Sequence, residues 1–240
     1  MTGQEIREKE RELGIRFNKT EREFLLSDNE EWVYEQGKEY QELISDIARQ
    51  VKFSELKNEG WIYRAGKEWK GITDEMRVKK WYELEEERWI YETGKEWQGI
   101  TDEMRAKRWY KLKDEEWVYY AGEKWSGITD EMRRERWDEL KDEGWIYWAG
   151  REWDGITDEM RRRKRHKLKD EYWIYQAERT WSGITDEMRV KRWYKLKEED
   201  EITKEKEKNA KKFANAFINS VYQSALQYTT GHLCLCLVIF

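Results

Sequence analysis

The sequence predicts an all-α protein in which tandem 28-residue helix–turn–helix repeats stack into a solenoid or superhelix, with helical segments at both ends. The heptapeptide Gly-Ile-Thr-Asp-Glu-Met-Arg recurs unchanged five times at a spacing of 28 residues. Charged residues make up 41% of the chain and proline is absent, but 16 Trp and 14 Tyr supply the apolar surface that an interior needs. The five occurrences are Gly71–Arg77, Gly99–Arg105, Gly127–Arg133, Gly155–Arg161 and Gly183–Arg189.

Two less regular segments precede the array. Residues 1–31 are expected to form an N-terminal helical cap, in which Thr20 and Glu23 match a capping box. Residues 32–60 match a degenerate copy that has one extra residue and lacks the heptapeptide. It shares with the other copies the residues Trp32, Tyr34, Gly37 and Tyr40. Five regular copies follow over residues 61–200.

A first helix is predicted at the start of every copy, where we number the opening Trp as position 1 of 28. Position 26 is Asn or Asp in most copies, and these side chains accept hydrogen bonds from free N–H groups at a helix start. In the third copy, Trp117, Ala121 and Trp125 occupy positions 1, 5 and 9. This spacing places them on one face of a helix that runs to about position 10.

A β-hairpin is the alternative for the same stretch, with its turn at the Ala-Gly pair of Trp-Ile-Tyr-x-Ala-Gly-x-x-Trp. The last copy has Ala177-Glu178 at this place, and Glu is unfavourable where a turn requires a positive φ. Alanine is also a strong helix former. The sequence therefore favours the helix.

A second helix is predicted to follow a turn at Gly127. Thr129 is expected to cap it, and two acidic residues follow in the first turn, where the helix dipole favours anions. Met132, Trp137 and Leu140 then form a second apolar stripe. Two short helices and their turns account for the whole repeat.

This second half resembles the short bacterial SHOCT module, whose centre reads Gly-x-Ile-Thr-x-Glu-Glu before a Lys-rich helix. The matching residues here are Gly127-Ile128-Thr129-Asp130-Glu131, followed by Arg133, Arg134 and Arg136. The resemblance covers less than half of each repeat, and Trp and Tyr replace the Leu-rich first helix of the module. It implies a helical hairpin that is used for association.

The Trp residues at positions 1, 9 and 21 could form platforms for sugars or bases, but their helical spacing predicts a core instead. The Arg at position 17 falls inside the apolar stripe of the second helix, as Arg189 does. It is expected to stack on the Trp four residues later, here Trp193, or to pair with a carboxylate of a neighbouring copy. A partner-binding ladder of these Arg residues is the alternative.

The fourth copy carries a basic run in which Arg165 replaces the Trp of position 21. Its cations are Arg161, Arg162, Arg163, Lys164, Arg165 and Lys167. Such a run can bind nucleic acid or a partner protein. The net charge of −5 and the lack of a continuous basic stripe favour a solvated face instead.

Residues 201–240 are predicted to form an amphipathic helix and an apolar tail. The candidate residues for self-association are Phe213, Phe217, Val221, Leu233, Leu235, Leu237 and Phe240. The tail over residues 233–240 is too short to span a bilayer, which takes about 20 residues. Cys234 and Cys236 lack the further ligands that a metal site needs.

The sequence carries no recognisable nucleotide-binding, metalloprotease or nucleophile-elbow motif and no signal peptide. It therefore predicts a non-enzymatic scaffold without a cofactor, located in the cytoplasm (or the nucleus of a eukaryote), that binds a protein partner or itself. Nucleic-acid binding through the basic run is the second hypothesis. The third is a peptide precursor that is cut at Lys107-Arg108 and Lys191-Arg192.

Overall fold

The computed structural model describes residues 1–191, 194, 195, 197, 198, 200–208, 211 and 212. The chain divides into two compact units, Met1–Ser182 and Gly183–Phe240. The described residues are helical, in turns or irregular, and none of them lies in a β-strand. The all-α prediction is confirmed, and the hairpin alternative is wrong.

The first unit consists of helix pairs joined by short turns. The N-terminal cap contains α1 (Gly3–Leu13) and α2 (Lys19–Leu26). Each copy then contributes a first and a second helix, and the last copy places its first helix in this unit. These helices are α3 (Glu30–Glu39), α4 (Asp46–Glu55), α5 (Glu59–Glu68), α6 (Asp74–Glu83), α7 (Glu87–Glu96), α8 (Asp102–Trp109), α9 (Glu115–Lys124), α10 (Asp130–Glu139), α11 (Glu143–Glu152), α12 (Asp158–Arg165) and α13 (Glu171–Thr180).

The first helices pack side by side in chain order, from α3 through α5, α7, α9 and α11 to α13. Each second helix packs against the first helix of the next copy, as α4 does with α5 and α10 with α11. The first unit is therefore a helical repeat solenoid in which every copy buries its apolar residues against its neighbours.

The caps predicted from sequence are present at both kinds of helix. Thr129 accepts a hydrogen bond from the Met132 N–H at 3.3 Å, and the corresponding Thr does the same in the other regular copies. The Asn or Asp at position 26 caps the first helices, as Asn58 does at the Trp61 N–H. Glu86, which is neither Asn nor Asp, makes no side-chain cap bond.

The first helix ends earlier than the sequence predicts. In the third copy it ends at Lys124, position 8, and Trp125 already has the extended backbone (φ −77°, ψ 128°). This change of direction turns the Trp125 side chain towards the preceding copy, which a helical residue at that place could not do.

The turn glycine of the heptapeptide is required for two reasons, its backbone conformation and its close contact with the preceding copy. Gly127 has φ +85°, a left-handed conformation that glycine tolerates best. A Cβ added to it would also lie 2.5 Å from the Cβ of Asp102 in the preceding copy. Gly71, Gly99 and Gly155 meet the corresponding Asp in the same way. This glycine therefore serves both the turn and the junction between copies.

The capping box of the N-terminal cap lies two residues before the predicted one. Asn18 accepts from the Glu21 N–H at 2.9 Å, and the Glu21 carboxylate accepts from the Asn18 N–H at 2.8 Å. The predicted box at Thr20 and Glu23 is wrong, because both residues already lie inside α2. The Glu21 carboxylate also accepts from the Ser45 N–H at 3.0 Å, which ties the cap to the degenerate copy.

The second unit begins with the second helix of the last copy. Thr185 caps it at the Met188 N–H, and every described residue from Asp186 to Lys208 is helical. The seven apolar residues from Phe213 to Phe240 that were predicted to mediate self-association lie outside the described residues. Within the described part of the chain, no helix combines the length and apolar composition that crossing a membrane requires.

Candidate interaction surface

The Trp at position 9 of each copy is buried against a glycine of the preceding copy. The Trp125 indole covers Gly94 so closely that a Cβ on Gly94 would lie 2.7 Å from the ring. The Trp125 Nε1 donates to the backbone carbonyl of Tyr91 at 3.1 Å. The equivalent indoles of Trp69, Trp97, Trp153 and Trp181 make the same bond. The glycine at position 6 is therefore a packing requirement.

The Trp at position 21 links three successive copies. Trp109 is fully buried, and its Nε1 donates to the Val118 carbonyl of the next copy at 3.0 Å. Its ring meets Trp153, two copies further on, edge to face at 6.0 Å. The predicted core role is confirmed for the described Trp residues at positions 9 and 21, whereas Trp at position 1 is only half-buried. In the N-terminal part, Phe24 and Phe53 make the corresponding contacts with Trp69 and Trp97.

The Tyr at position 3 lies between two indoles of the next copy. Tyr119 stacks on Trp145 at 5.4 Å and on Trp153 at 6.3 Å, measured between ring centroids. This burial raises the pKa of Tyr119 well above its ordinary value. The junctions α7–α9, α9–α11 and α11–α13 therefore each contain a three-ring stack of Trp, Tyr and Trp.

A charged group closes the outer edge of this stack. The Tyr63 hydroxyl donates to Glu96 of the next copy at 2.6 Å, and Lys67 pairs with the same carboxylate at 2.6 Å. The hydrogen bond from Lys67 lowers the pKa of Glu96, whereas burial, aided by Glu96, raises the pKa of Tyr63 to about 12. Tyr34, Lys38 and Glu68 repeat this arrangement one junction earlier.

The Arg at position 17 joins the two helices of its own copy. The Arg133 Nε donates to the Gly122 carbonyl at 2.7 Å, and its Nη1 donates to Asp130 at 2.9 Å. Arg77, Arg105 and Arg161 do the same. The structural role is as expected for these four, but the predicted carboxylate of a neighbouring copy is wrong, because the carboxylate belongs to the same copy. The predicted stacking of Arg189 on Trp193 involves a residue outside the described ones.

The cation–π contact comes from position 20 instead. Arg136 lies over the Trp109 ring of the preceding copy at 5.9 Å and donates to the Leu112 carbonyl at 2.7 Å. Lys164 is buried over Trp137 and donates to three carbonyls, including that of Leu140. Burial lowers the pKa of the Lys164 amine. These cations satisfy carbonyls at the end of the preceding second helix.

Arg165 is buried, although it replaces a Trp. Its guanidinium pairs with Glu178, which stands at position 6 of the last copy, where the other copies have glycine. In the earlier copies, the residue at position 21 and the residue at position 6 of the next copy both contact a Trp at position 9, as Trp109 and Gly122 contact Trp153. The residue that would correspond to this Trp for Arg165 and Glu178 follows Trp181 by 28 residues and is Asn209. The ion pair thus replaces the Trp–Gly–Trp contact where the regular array stops.

The basic run does not form one surface. Arg161 bonds Gly150 and Asp158, while Lys164 and Arg165 are buried, so the prediction of a solvated face is wrong for these two. The exposed members are Arg162, Arg163, which pairs with Asp138 at 2.8 Å, and Lys167.

The exposed side of the last first helices is rich in aromatic residues. Position 4 changes from charged in Glu35, Arg64 and Glu92 to aromatic in Tyr120 and Trp148. With about 100° per residue, positions 28, 1 and 4 share one side of the helix. On α9, α11 and α13 this side carries the residues that we call the aromatic face, namely Trp117, Tyr120, Trp145, Trp148, Tyr172 and Trp173.

Rings of the aromatic face contact one another both between neighbouring helices and within one helix. Tyr120 of α9 lies 5.9 Å from Trp145 of α11, and Tyr172 lies 4.8 Å from Trp173. Arg151 lies over the exposed Trp148 ring at 5.4 Å. Clustered, partly exposed aromatic residues with a neighbouring Arg are the composition of protein-binding hot spots.

Two other features, a metal site and the dibasic cleavage sites, find little support in the described residues. No group of three or more His, Cys, Asp or Glu side chains in this part of the chain is placed to hold a metal ion. The dibasic pair Lys107-Arg108 lies in α8, and Arg108 donates to the Leu84 carbonyl of the preceding copy. Arg192 of the second dibasic pair lies outside the described residues.

Comparisons with protein-family models, curated proteins and solved structures give no match for this chain. The resemblance to the SHOCT module thus remains a prediction.

Sequence reasoning missed the pairing of Arg165 with Glu178. A signal existed, since both residues depart from the repeat and stand in adjacent copies. It was hidden because positions 21 and 6 are 13 residues apart and meet only through the packing between copies.

Proposed function

We propose that this protein is a non-enzymatic repeat scaffold that binds protein partners, including copies of itself, through the exposed side of its first helices. The aromatic face carries the proposal, because its rings form a cluster of large apolar residues that the junctions between copies leave partly exposed on α9, α11 and α13.

The heptapeptide does not compete for this role. Its Gly, Ile, Thr, Asp and Arg fill the turn, the core, the helix cap and the ion pair within each copy. A residue committed to packing recurs unchanged, whereas position 4 is free to differ between copies. Recognition therefore belongs to the positions that differ, as expected for a repeat scaffold.

The test is site-specific photo-crosslinking of the full chain in cells of its native source. A benzophenone amino acid replaces Trp148 on the aromatic face or, as the matched control, Tyr82 on the second helix α6. Both side chains are exposed, so neither replacement disturbs the core. We expect defined protein adducts, with a partner or with a second copy, from position 148 and none from position 82.

Equal adducts from both positions, or none from position 148, would contradict the proposal. Recovery of nucleic acid at position 148, or at Arg162 in a third variant, would favour the nucleic-acid hypothesis instead. The exposed part of the basic run is small. Nucleic-acid binding through this run would be salt-dependent and would be lost when Arg162 and Lys167 are neutralised.

A further inference from the structure

We infer that this chain associates head to tail with a second copy of itself, with Tyr175 of one copy entering between Trp32 and Tyr40 of the next. The inference rests on the proposed scaffold function and names one partner, a second copy, and the edges of the solenoid that would meet. It follows from an aromatic stack that is complete at the last three internal junctions and incomplete at both edges of the row of first helices.

Tyr175 is the unmatched ring at the C-terminal edge. It occupies position 3 of the last copy, on α13, and is 59% exposed. The same residue one copy earlier, Tyr147, is 2% exposed, because Trp173 and Trp181 of the next copy cover it. A sixth copy would have placed indoles at positions 201 and 209, but the sequence has Glu201 and Asn209.

Among the described residues, the N-terminal edge has the two enclosing rings but lacks a Tyr between them. Trp32 and Tyr40 occupy positions 1 and 9 of the degenerate copy, the two positions that enclose a Tyr at the last three junctions. They are 40% and 43% exposed, so the described structure encloses no ring between them. One edge thus presents a Tyr without its two partners, and the other presents the two partners without a Tyr.

The charges at the two edges also match. At the first two internal junctions, a Lys at position 7 and the Tyr hydroxyl both bind the Glu at position 8 of the next copy, as Lys67 and Tyr63 bind Glu96. At the edges, position 7 of the last copy is Arg179 and position 8 of the degenerate copy is Glu39, and both are exposed. A head-to-tail contact brings these opposite charges together.

The contact differs from an internal junction in the backbone of position 9, where Tyr40 has φ −100° and ψ 49° instead of the extended backbone of Trp125, and in one pair of side chains. Elsewhere a Trp at position 9 covers a Gly at position 6, but here the pair is Tyr40 and Glu178. The smaller ring compensates for the larger side chain opposite. Because the two surfaces are different, the contact is heterologous, and repeated association gives a ring or an open filament.

The experiment is sedimentation velocity of the full chain over a range of concentrations. We expect the sedimentation coefficient of the wild type to rise with concentration. Tyr175→Ala should weaken association about thirtyfold or more, as loss of a hot-spot aromatic does. Tyr82→Ala is the matched control, because Tyr82 is 55% exposed but lies on the second helix α6, outside the aromatic face and outside the row of first helices.

A mixing experiment tests the head-to-tail geometry. Trp32→Ala alone should also be monomeric, but an equimolar mixture with Tyr175→Ala should form heterodimers and stop there. In the heterodimer, the intact Tyr175 edge of the Trp32→Ala chain binds the intact Trp32 edge of the Tyr175→Ala chain. The two edges that remain free both carry a substitution, so a third chain cannot add. Circular dichroism melts of the single variants should match the wild type, because the altered side chains are exposed.

A wild-type chain that stays monomeric at its highest soluble concentration would overturn the inference, as would equal weakening by Tyr82→Ala. A mixture of the two variants that remains monomeric excludes the geometry even if the wild type associates. Protein adducts at position 148 together with a monomeric wild type would leave the scaffold function standing and reject self-association alone.

Discussion

Glycine at position 6 is the residue that sequence propensity would judge least favourable in these helices. Gly66, Gly94, Gly122 and Gly150 lie inside α5, α7, α9 and α11, where glycine is about 1 kcal/mol less favourable than alanine. The indole of the next copy occupies the space of each missing Cβ. The contact between copies thus outweighs the preference of the helix at these four positions.

Gly122→Ala tests which effect dominates. A Cβ would lie 2.6 Å from the Trp153 ring, so we expect the free energy of unfolding to fall by about 1–3 kcal/mol despite the better helix propensity. Urea denaturation followed by circular dichroism measures the change. Gly3→Ala is the control, since the nearest atom to its Cβ would be 3.7 Å away, and it should leave stability unchanged or higher.

Arg165 allows a second test at the residue scale. Arg165→Met removes one partner of a buried ion pair and leaves Glu178 without that guanidinium, which should cost about 3–5 kcal/mol of unfolding free energy. The same change at the exposed neighbour Arg162 should stay within about 0.5 kcal/mol. Chemical denaturation of both variants gives the comparison.

The double variant with Glu178→Gln shows whether the two residues act together. It should lose less stability than the sum of the two single variants, because the cost of the uncompensated charge is then removed. Additive losses would mean that Arg165 and Glu178 contribute separately.

At the scale of the element, the two helices of a copy are held at a fixed angle by one side chain. Arg133 bonds the Gly122 carbonyl near the end of α9 and the Asp130 carboxylate at the start of α10. Thr129 caps α10 beside it. Both bonds depend on the turn at Gly127, so the heptapeptide acts as one structural element.

Arg133→Met should loosen this turn. Loss of the two charge-assisted bonds should lower the unfolding free energy by about 1.5–3 kcal/mol. Arg133→Lys keeps the charge but lacks the forked guanidinium, so it should recover only part of the loss. Full stability in Arg133→Met, together with loss of association, would instead support a role of this Arg in partner binding.

The sequence was sufficient to predict the helices but not their junctions. Periodicity and caps placed both helices of each copy, because these signals are local. The end of the first helix at position 8 was missed, since it depends on where Trp125 turns to reach the preceding copy. The buried states of Lys164 and Arg165 were missed for the same reason, as their partners come from other copies or helices.

At the scale of the whole molecule, the first unit is a one-dimensional chain of contacts between neighbouring copies. Trp125 contacts Tyr91 one copy before and Trp81 two copies before, so each indole couples three successive copies. Stability in such arrays is a sum of local terms and nearest-neighbour contacts. A defect in the middle should therefore divide the array.

Trp125→Ala tests this coupling. Loss of a fully packed indole should cost about 3–5 kcal/mol, and the urea dependence should become shallower because the two halves no longer unfold together. Trp148→Ala removes an equally large side chain from the aromatic face and should keep the wild-type slope. Equal slopes for both variants would mean that the copies unfold independently of this indole.

The same indole-to-glycine fit has a consequence for how the gene can change. Every internal boundary is made of matching parts at a constant offset, so excising one 28-residue unit, such as 89–116, brings together surfaces that already fit. Duplication works in the same way. The number of copies can thus change by whole units while Arg165 and Glu178 remain at the last boundary. The number of stacked copies is then a heritable variable that requires no new interface.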